Sequence, residues 1–349
     1  MKQVKIIVAL VAGLFAFTSA QAGEMTVTGS MHATYQSEVD DVTGNPLGMN
    51  TDLTFTGSTD TDFGTASYSM GTDGTFLGGD STQGADHTLK LATGMGTFKI
   101  GNAGDSANAV DDITPSAFEE ANGSGSGTYA VDFGSGMDGS MSLGYALSDI
   151  MGTGVSIDYT YYPKLDGSTQ NEKAASANAN ADSSSAQSVN IGLPLAGVPG
   201  IGNSPLGGMK ITLGYEESDA RATDAQGKLG GTAAVVLPVG PLKVGYQKKG
   251  YQAKKSAALA ADTVFYKDDI LGVAYAVNDD LALSYNIIES VKHAKNGATG
   301  NVEQETKAIN IAYTIGGLTL GFQDAKTDNA AYVDAASDDT RTISIKTAF

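Results

Sequence analysis

The chain has no cysteine and no tryptophan among its 349 residues. Disulfides, thiolate metal sites and thiol catalysis are therefore excluded. Arginine is nearly missing as well, with only Arg221 and Arg341. Beyond the N-terminus no apolar run approaches the ~20 residues that a membrane helix needs. Basic residues are scarce overall: 21 Lys and Arg face 39 Asp and Glu, for a formal charge of −18. Nucleic acid is a poor partner for such a chain, because that affinity rests on Lys and Arg.

The N-terminus carries a three-part pattern. Lys2 and Lys5 precede an apolar stretch from Ile6 to Phe17, and Ala20-Gln21-Ala22 supplies a small-x-small site. This reads as a secretory signal over residues 1–22, cleaved to leave one domain over 23–349. The signal holds two lysines and no acid, so the mature charge is 19 basic minus 39 acidic, or −20.

What the sequence does have is alternation. Met25-Thr-Val27-Thr-Gly29-Ser-Met31, Lys210-Ile211-Thr212-Leu213, Leu281-Ala-Leu283-Ser-Tyr285 and Thr342-Ile343-Ser344-Ile345 all change sides at every residue. Period 2 is the strand signature. Short Gly, Asp or Asn turns join such segments into hairpins, as at Gly94-Met95-Gly96, Asn278-Asp279-Asp280 and Gly316-Gly317. Longer polar stretches separate the hairpins, the largest from Leu165 to Gln187. Short turns at one end and long loops at the other describe a transmembrane antiparallel β-barrel, whose loops face the exterior.

A first count finds 17 strand-like runs, whereas bacterial single-chain barrels have even numbers. The 165–187 loop should be external, so Val155–Pro163 runs outward into it and Ser140–Ser148 runs inward. Residues 128–133 then belong to a long segment from about Ala103 to Gly139, and the count becomes 16. A barrel that wide encloses water rather than a packed core.

The alternation also assigns faces. Leu213, Tyr215, Tyr246, Leu283, Tyr285, Ile311, Tyr313, Leu320 and Phe322 point outward, and tyrosines recur near strand ends as in an interfacial girdle. The inward set is Thr, Ser, Gly, Asn and a few charges, too little apolar bulk for a dry interior. Inward basic candidates are His32, Lys90, Lys99, Lys210, Lys243 and Lys346. A polar-lined open cylinder across a membrane passes small hydrophilic solutes and ions.

The chain resembles the Gram-negative general porins, especially the trimeric sixteen-stranded type. Three stretches carry the resemblance: the strand Glu24-Met-Thr-Val-Thr-Gly-Ser, the run Gly96-Thr-Phe-Lys-Ile-Gly-Asn102 with the segment after it, and the final strand ending in Phe349. The resemblance implies an outer-membrane homotrimer and a third external loop folded into each lumen. It also implies loop acids facing wall bases across a constriction. Here those acids are Asp105, Asp111, Asp112, Glu119 and Glu120. The arginine cluster often found in such porins is absent, so lysines must substitute, with Lys90 and Lys99 foremost. Phe349 looks like the signal read by the outer-membrane assembly machinery, although Thr347 departs from the apolar residue often found there.

Other chemistry finds little footing. Asp111-Asp112 is a weak Ca²⁺ candidate, but no twelve-residue calcium loop surrounds it. Otherwise no cofactor is expected. His32, His87 and His293 are scattered and lack zinc spacing. Gly123-Ser-Gly125-Ser-Gly127 is followed by no Lys-Ser or Lys-Thr, so it is no phosphate loop. No enzyme activity is expected. A structural or adhesive barrel with a blocked lumen, and a soluble exported β-protein, stay open as alternatives.

Overall fold

A computed structural model describes residues 25–38, 44–72, 85–102, 106–119, 137, 140–165, 185–219, 227–253, 264–294 and 302–349. They form sixteen strands. The first five are β1 (Met25–Glu38), β2 (Leu47–Thr61), β3 (Gly64–Thr72), β4 (Ala85–Thr93) and β5 (Gly96–Gly101). Next come β6 (Ser142–Leu147), β7 (Ser156–Tyr162), β8 (Ala186–Pro194), β9 (Lys210–Ser218) and β10 (Lys228–Val239). The last six are β11 (Leu242–Ala253), β12 (Val264–Ala276), β13 (Leu281–Ala294), β14 (Val302–Ile315), β15 (Leu318–Asp328) and β16 (Ser337–Ala348).

Each strand pairs antiparallel with its neighbours in sequence, and β1 pairs with β16 to close the barrel. Closure leaves no sheet edge, which the bilayer would not tolerate. It extends to the terminus: Gly29 and Phe349 exchange both backbone hydrogen bonds, at 2.8 and 2.9 Å. The sixteen-strand expectation holds. Residues 128–133, on which that count turned, lie outside the described residues.

Local chemistry sets the tight turns. β14 and β15 are joined by Gly316 and Gly317 alone, with φ of +57° and +86°. Positive φ at both positions matches the twist of the flanking strands, and glycine adopts it without strain. Asn278 caps its turn by accepting from the backbone N–H of Asp280 and Leu281 at 2.9 and 2.8 Å. Thr61 and Thr93 play matching roles, each donating to the carbonyl of the glycine three residues on. One connection at this end departs from the expected short turn. Residues 195–209 between β8 and β9 wind through a 3₁₀ turn (Leu195–Gly197) and successive i→i+3 hydrogen bonds.

The wall is uneven in height. β5, β6 and β7 have 6, 6 and 7 residues, while β12, β13 and β14 have 13, 14 and 14. One face of the sheet presents large apolar side chains to the surroundings. Tyr246, Leu271, Tyr275, Leu283, Tyr285, Ile309, Tyr313, Leu320 and Ile343 are between 38% and 55% exposed. A continuous apolar belt of this kind fits hydrocarbon, not water. Charges on that face sit toward the loop ends, and several are paired, as in Arg341 with Asp324 and Lys248 and Lys267 with Asp269.

The opposite face is mostly polar, carrying Ser188, Gln247, Asn286, Asn310, Gln323 and Thr342. It is not wholly so. Ile270, Ile288, Ala308 and Ala325 form a small buried cluster there, an addition to the expected Thr, Ser, Gly and Asn lining.

Candidate functional site

The polar face is where the segment after β5 lies. Residues 106–119 meet the wall at one end through Ser106, whose N–H donates to Thr160 Oγ1 at 3.2 Å and whose hydroxyl lies 2.7 Å from that of Ser188. They meet it at the other end through Glu119, 4.0 Å from His32 Nε2. Thr160 is on β7 and His32 on β1, ten strand intervals apart by way of β16. Around the outside that arc is ~60 Å, at ~4.8 Å per strand and a tilt near ~40°. Thirteen extended residue steps reach only ~45 Å, and a 3₁₀ turn at Asn108–Val110 shortens the reach further. The segment therefore crosses the inner side of the barrel.

The wall supplies the hydrogen bonds that this irregular backbone cannot make with itself. Gln247 accepts from Ile113 N–H at 3.2 Å and donates to the carbonyls of Val110 and Asp111 at 2.8 and 2.7 Å. Asn286 donates to Pro115 O at 3.0 Å, and Ser284 Oγ accepts from Ala117 N–H at 2.9 Å. Asn286 also accepts from Asn310, which in turn accepts from Gln323, so three amides run across β13, β14 and β15 beneath the segment.

Space for the segment comes from missing side chains. A Cβ built on Gly245 would lie 2.3 Å from Pro115 Cδ, and one on Gly272 would lie 2.6 Å from Pro115 O. Gly214 makes the same allowance for Val110 and Gly321 for Phe118. All four glycines occupy inner-face positions of their strands.

A buried lysine fastens two of the segment's acids. Lys249 Nζ lies 2.7 Å from Asp111 Oδ1 and 3.2 Å from Asp112 Oδ1, and the lysine side chain is 0% exposed. Lys249 was not among the expected wall bases. It lies in Gln247-Lys248-Lys249-Gly250, where polar residues fill both faces and the alternation carries no contrast.

The remaining expected residues divide clearly. Lys90, Lys99, Lys210, Lys243, Lys346 and His32 all occupy inner-face positions. Lys90 and Lys99 are register partners on adjacent strands. Lys99 is ion-paired with Asp158, also on the wall. Among the described residues Lys90, Lys210, Lys243 and Lys346 have no ion pair. Of the expected loop acids, Asp111 and Asp112 meet Lys249 and Glu119 approaches His32. Asp105 and Glu120 lie outside the described residues.

A closed sixteen-stranded barrel, belted with apolar side chains outside and lined with polar ones inside, defines a transmembrane channel protein. Over residues 8–314 the sequence matches the family described as Gram-negative porin. The chain belongs to that family. It is a channel of the Gram-negative outer membrane through which solutes pass by diffusion.

Solved structures share the fold at low identity. OmpT of Vibrio cholerae, folded in vitro and in its trimer form, superposes with a TM-score of 0.68 at 11% identity, over 94% of this chain and 100% of that one. OmpF of Salmonella typhi, in complex with daunomycin, gives 0.64 at 13% identity over 94% and 98%. An anion-selective porin from Comamonas acidovorans gives 0.62 at 13% identity over 94% and 100%. No curated protein sequence matches the chain.

Proposed function

We propose that this porin is a general diffusion pore for small hydrophilic solutes and ions, narrowed on its inner side by the acidic segment after β5. The carrying observation is the wall-bonded path of residues 106–119 from Thr160 to His32, which takes cross-section from the lumen. Lys90 and Lys99 stand on wall that this stretch leaves uncovered, so solutes pass between them and the segment. Lys249 is a fastening rather than a lining group, since its ammonium is buried. The porin works without a cofactor. The weakly expected calcium position at Asp111-Asp112 is served by that ammonium.

Acids outnumber bases in the sequence of the long loops, and this favours a modest cation preference that fades as salt screens it. The protein works as a homotrimer, a reading supported by the trimer form of the similar Vibrio cholerae OmpT. Phe349 serves the outer-membrane assembly machinery, with its ring on the lipid side of the closing strand pair.

Purified protein inserted in planar bilayers tests the pore. Steady conductance that falls as the ion grows is expected, with a reversal potential of cation-preferring sign in a salt gradient. Absence of current would overturn the reading, and a clear anion preference would overturn the selectivity.

A further inference from the structure

The inner-face charges are not mixed along the strands. Lys90, Lys99, Lys210, Lys243 and Lys346 all stand within four residues of a strand end on the short-turn side. Only two described inner-face carboxylates, Asp60 and Asp158, share that zone, and Asp158 is held by Lys99. Toward the loop ends the balance reverses. Glu38 closes β1, Asp86 lies at the start of β4 and Asp338 at the start of β16, while Glu216 stands two residues from the loop-side end of β9. Among the described residues, the inner-face strand lysines there are Lys228, at the first position of β10, Lys249, buried between two aspartates, and Lys292, placed over the rings of Tyr266 and Tyr332.

We propose that the lumen is polarised along its axis, basic at the turn-side mouth and acidic at the loop-side mouth, so that the pore rectifies ionic current and admits polyvalent anions from the turn side. This rests on the pore reading above. The physics is that of two charged zones in series. When the loop side is positive, cations enter through the acidic mouth and anions through the basic one. Both zones then fill with the ions that they attract. At the opposite polarity each mouth faces ions that it repels, and the lumen is depleted.

The test uses the whole protein in planar bilayers. Orientation is fixed by a single cysteine, Met95→Cys, on an exposed turn and reacted from one side with an impermeant thiol reagent; the chain has no other cysteine. In about 0.1 M KCl, with a Debye length of ~10 Å, the current with the loop side positive should exceed the reverse current by about 1.5-fold or more. At about 1 M, where screening acts over ~3 Å, the ratio should approach one. Inorganic tripolyphosphate should reduce the current when added on the turn side and not on the loop side. Lys90→Gln, Lys243→Gln and Lys346→Gln together should bring the ratio toward one and raise cation preference.

A ratio of one at low salt, or equal block from both sides by wild-type protein, overturns the inference while leaving the pore intact. Absence of all current overturns the pore reading and this one with it.

Discussion

Lys249 and Asp111 stand 138 residues apart in the chain and meet at 2.7 Å against the inner wall, with the lysine side chain wholly covered. Asp112 shares the same ammonium at 3.2 Å. Removing one member of a buried ion pair typically costs ~3–5 kcal/mol. The crossing segment can escape that cost by leaving the wall. Lys249→Met is therefore expected to give larger and noisier single-channel currents, by about two-fold, with the barrel itself intact. Lys249→Met combined with Asp111→Leu and Asp112→Asn should recover much of the wild-type conductance. Single-channel recording checks both, and an unchanged current in Lys249→Met would show that the pair does not hold the segment.

The glycines under the segment offer a second handle. A Cβ on Gly245 would meet Pro115 Cδ at 2.3 Å, and one on Gly272 would meet a backbone oxygen at 2.6 Å. Overpacking of this kind costs ~1–3 kcal/mol. Gly272→Val is expected to be the more disruptive, because a carbonyl moves less readily than a ring edge. Both Gly245→Val and Gly272→Val should push the segment into the lumen and lower conductance, or release it and raise it. Gly231→Ala faces outward with nothing closer than 4.0 Å and should leave conductance unchanged. Bilayer recording separates these outcomes, and wild-type currents in both inner-face variants would refute the close fit.

The barrel was legible in the sequence because its signals are local. Period 2 marks Leu281–Tyr285 as strand with nothing else known, and Gly316-Gly317 names its own turn. The same alternation sets the faces, with Tyr285 and Leu320 outward and Lys90 inward. The fifteen-residue length of the connection 195–209 is not legible in the sequence, since Pro and Gly there signal turns without saying how many. The partners of the crossing segment were illegible for a different reason. Nothing near Gln247 or Lys249 in the chain says that Val110 and Asp111 will lie on them, because that contact depends on closure of the barrel. Ile270 and Ile288 were likewise hidden, since two apolar residues on an inward register look like noise until the wall is built.

The position of the segment can be fixed chemically. Ser106 and Ser188 place their hydroxyls 2.7 Å apart, and the chain has no cysteine to interfere. Ser106→Cys with Ser188→Cys should oxidise to a disulfide in the folded protein, visible as a mobility change on non-reducing gels after unfolding. Because the bond pins a contact that already exists, conductance should change by less than about 1.5-fold on oxidation. Failure of the two cysteines to couple in membrane-inserted protein would mean that the segment leaves the wall at that end.

At the barrel seam, the Phe349 ring lies so close to Gly29 that a Cβ there would be 2.6 Å from Cε2 of the ring. The two residues also exchange their backbone hydrogen bonds, so the last residue of the chain completes the β1–β16 ladder. An aromatic ring covering a bare glycine on a sheet restores packing that the glycine lacks. Phe349→Ala should therefore weaken the seam by ~1 kcal/mol, the scale of a cross-strand aromatic contact. Gly29→Val should displace the ring and cost a similar amount. If the ring acts only through Gly29, the double variant should be no worse than either single one, since both remove the same contact. The readout is the temperature at which the folded form, run unboiled on a gel, gives way to the unfolded one. If Phe349 also serves assembly, Phe349→Ala alone should lower the yield of folded protein in the outer membrane, with Gly29→Val retaining it. Equal yields with unequal melting would confine the role of Phe349 to the seam.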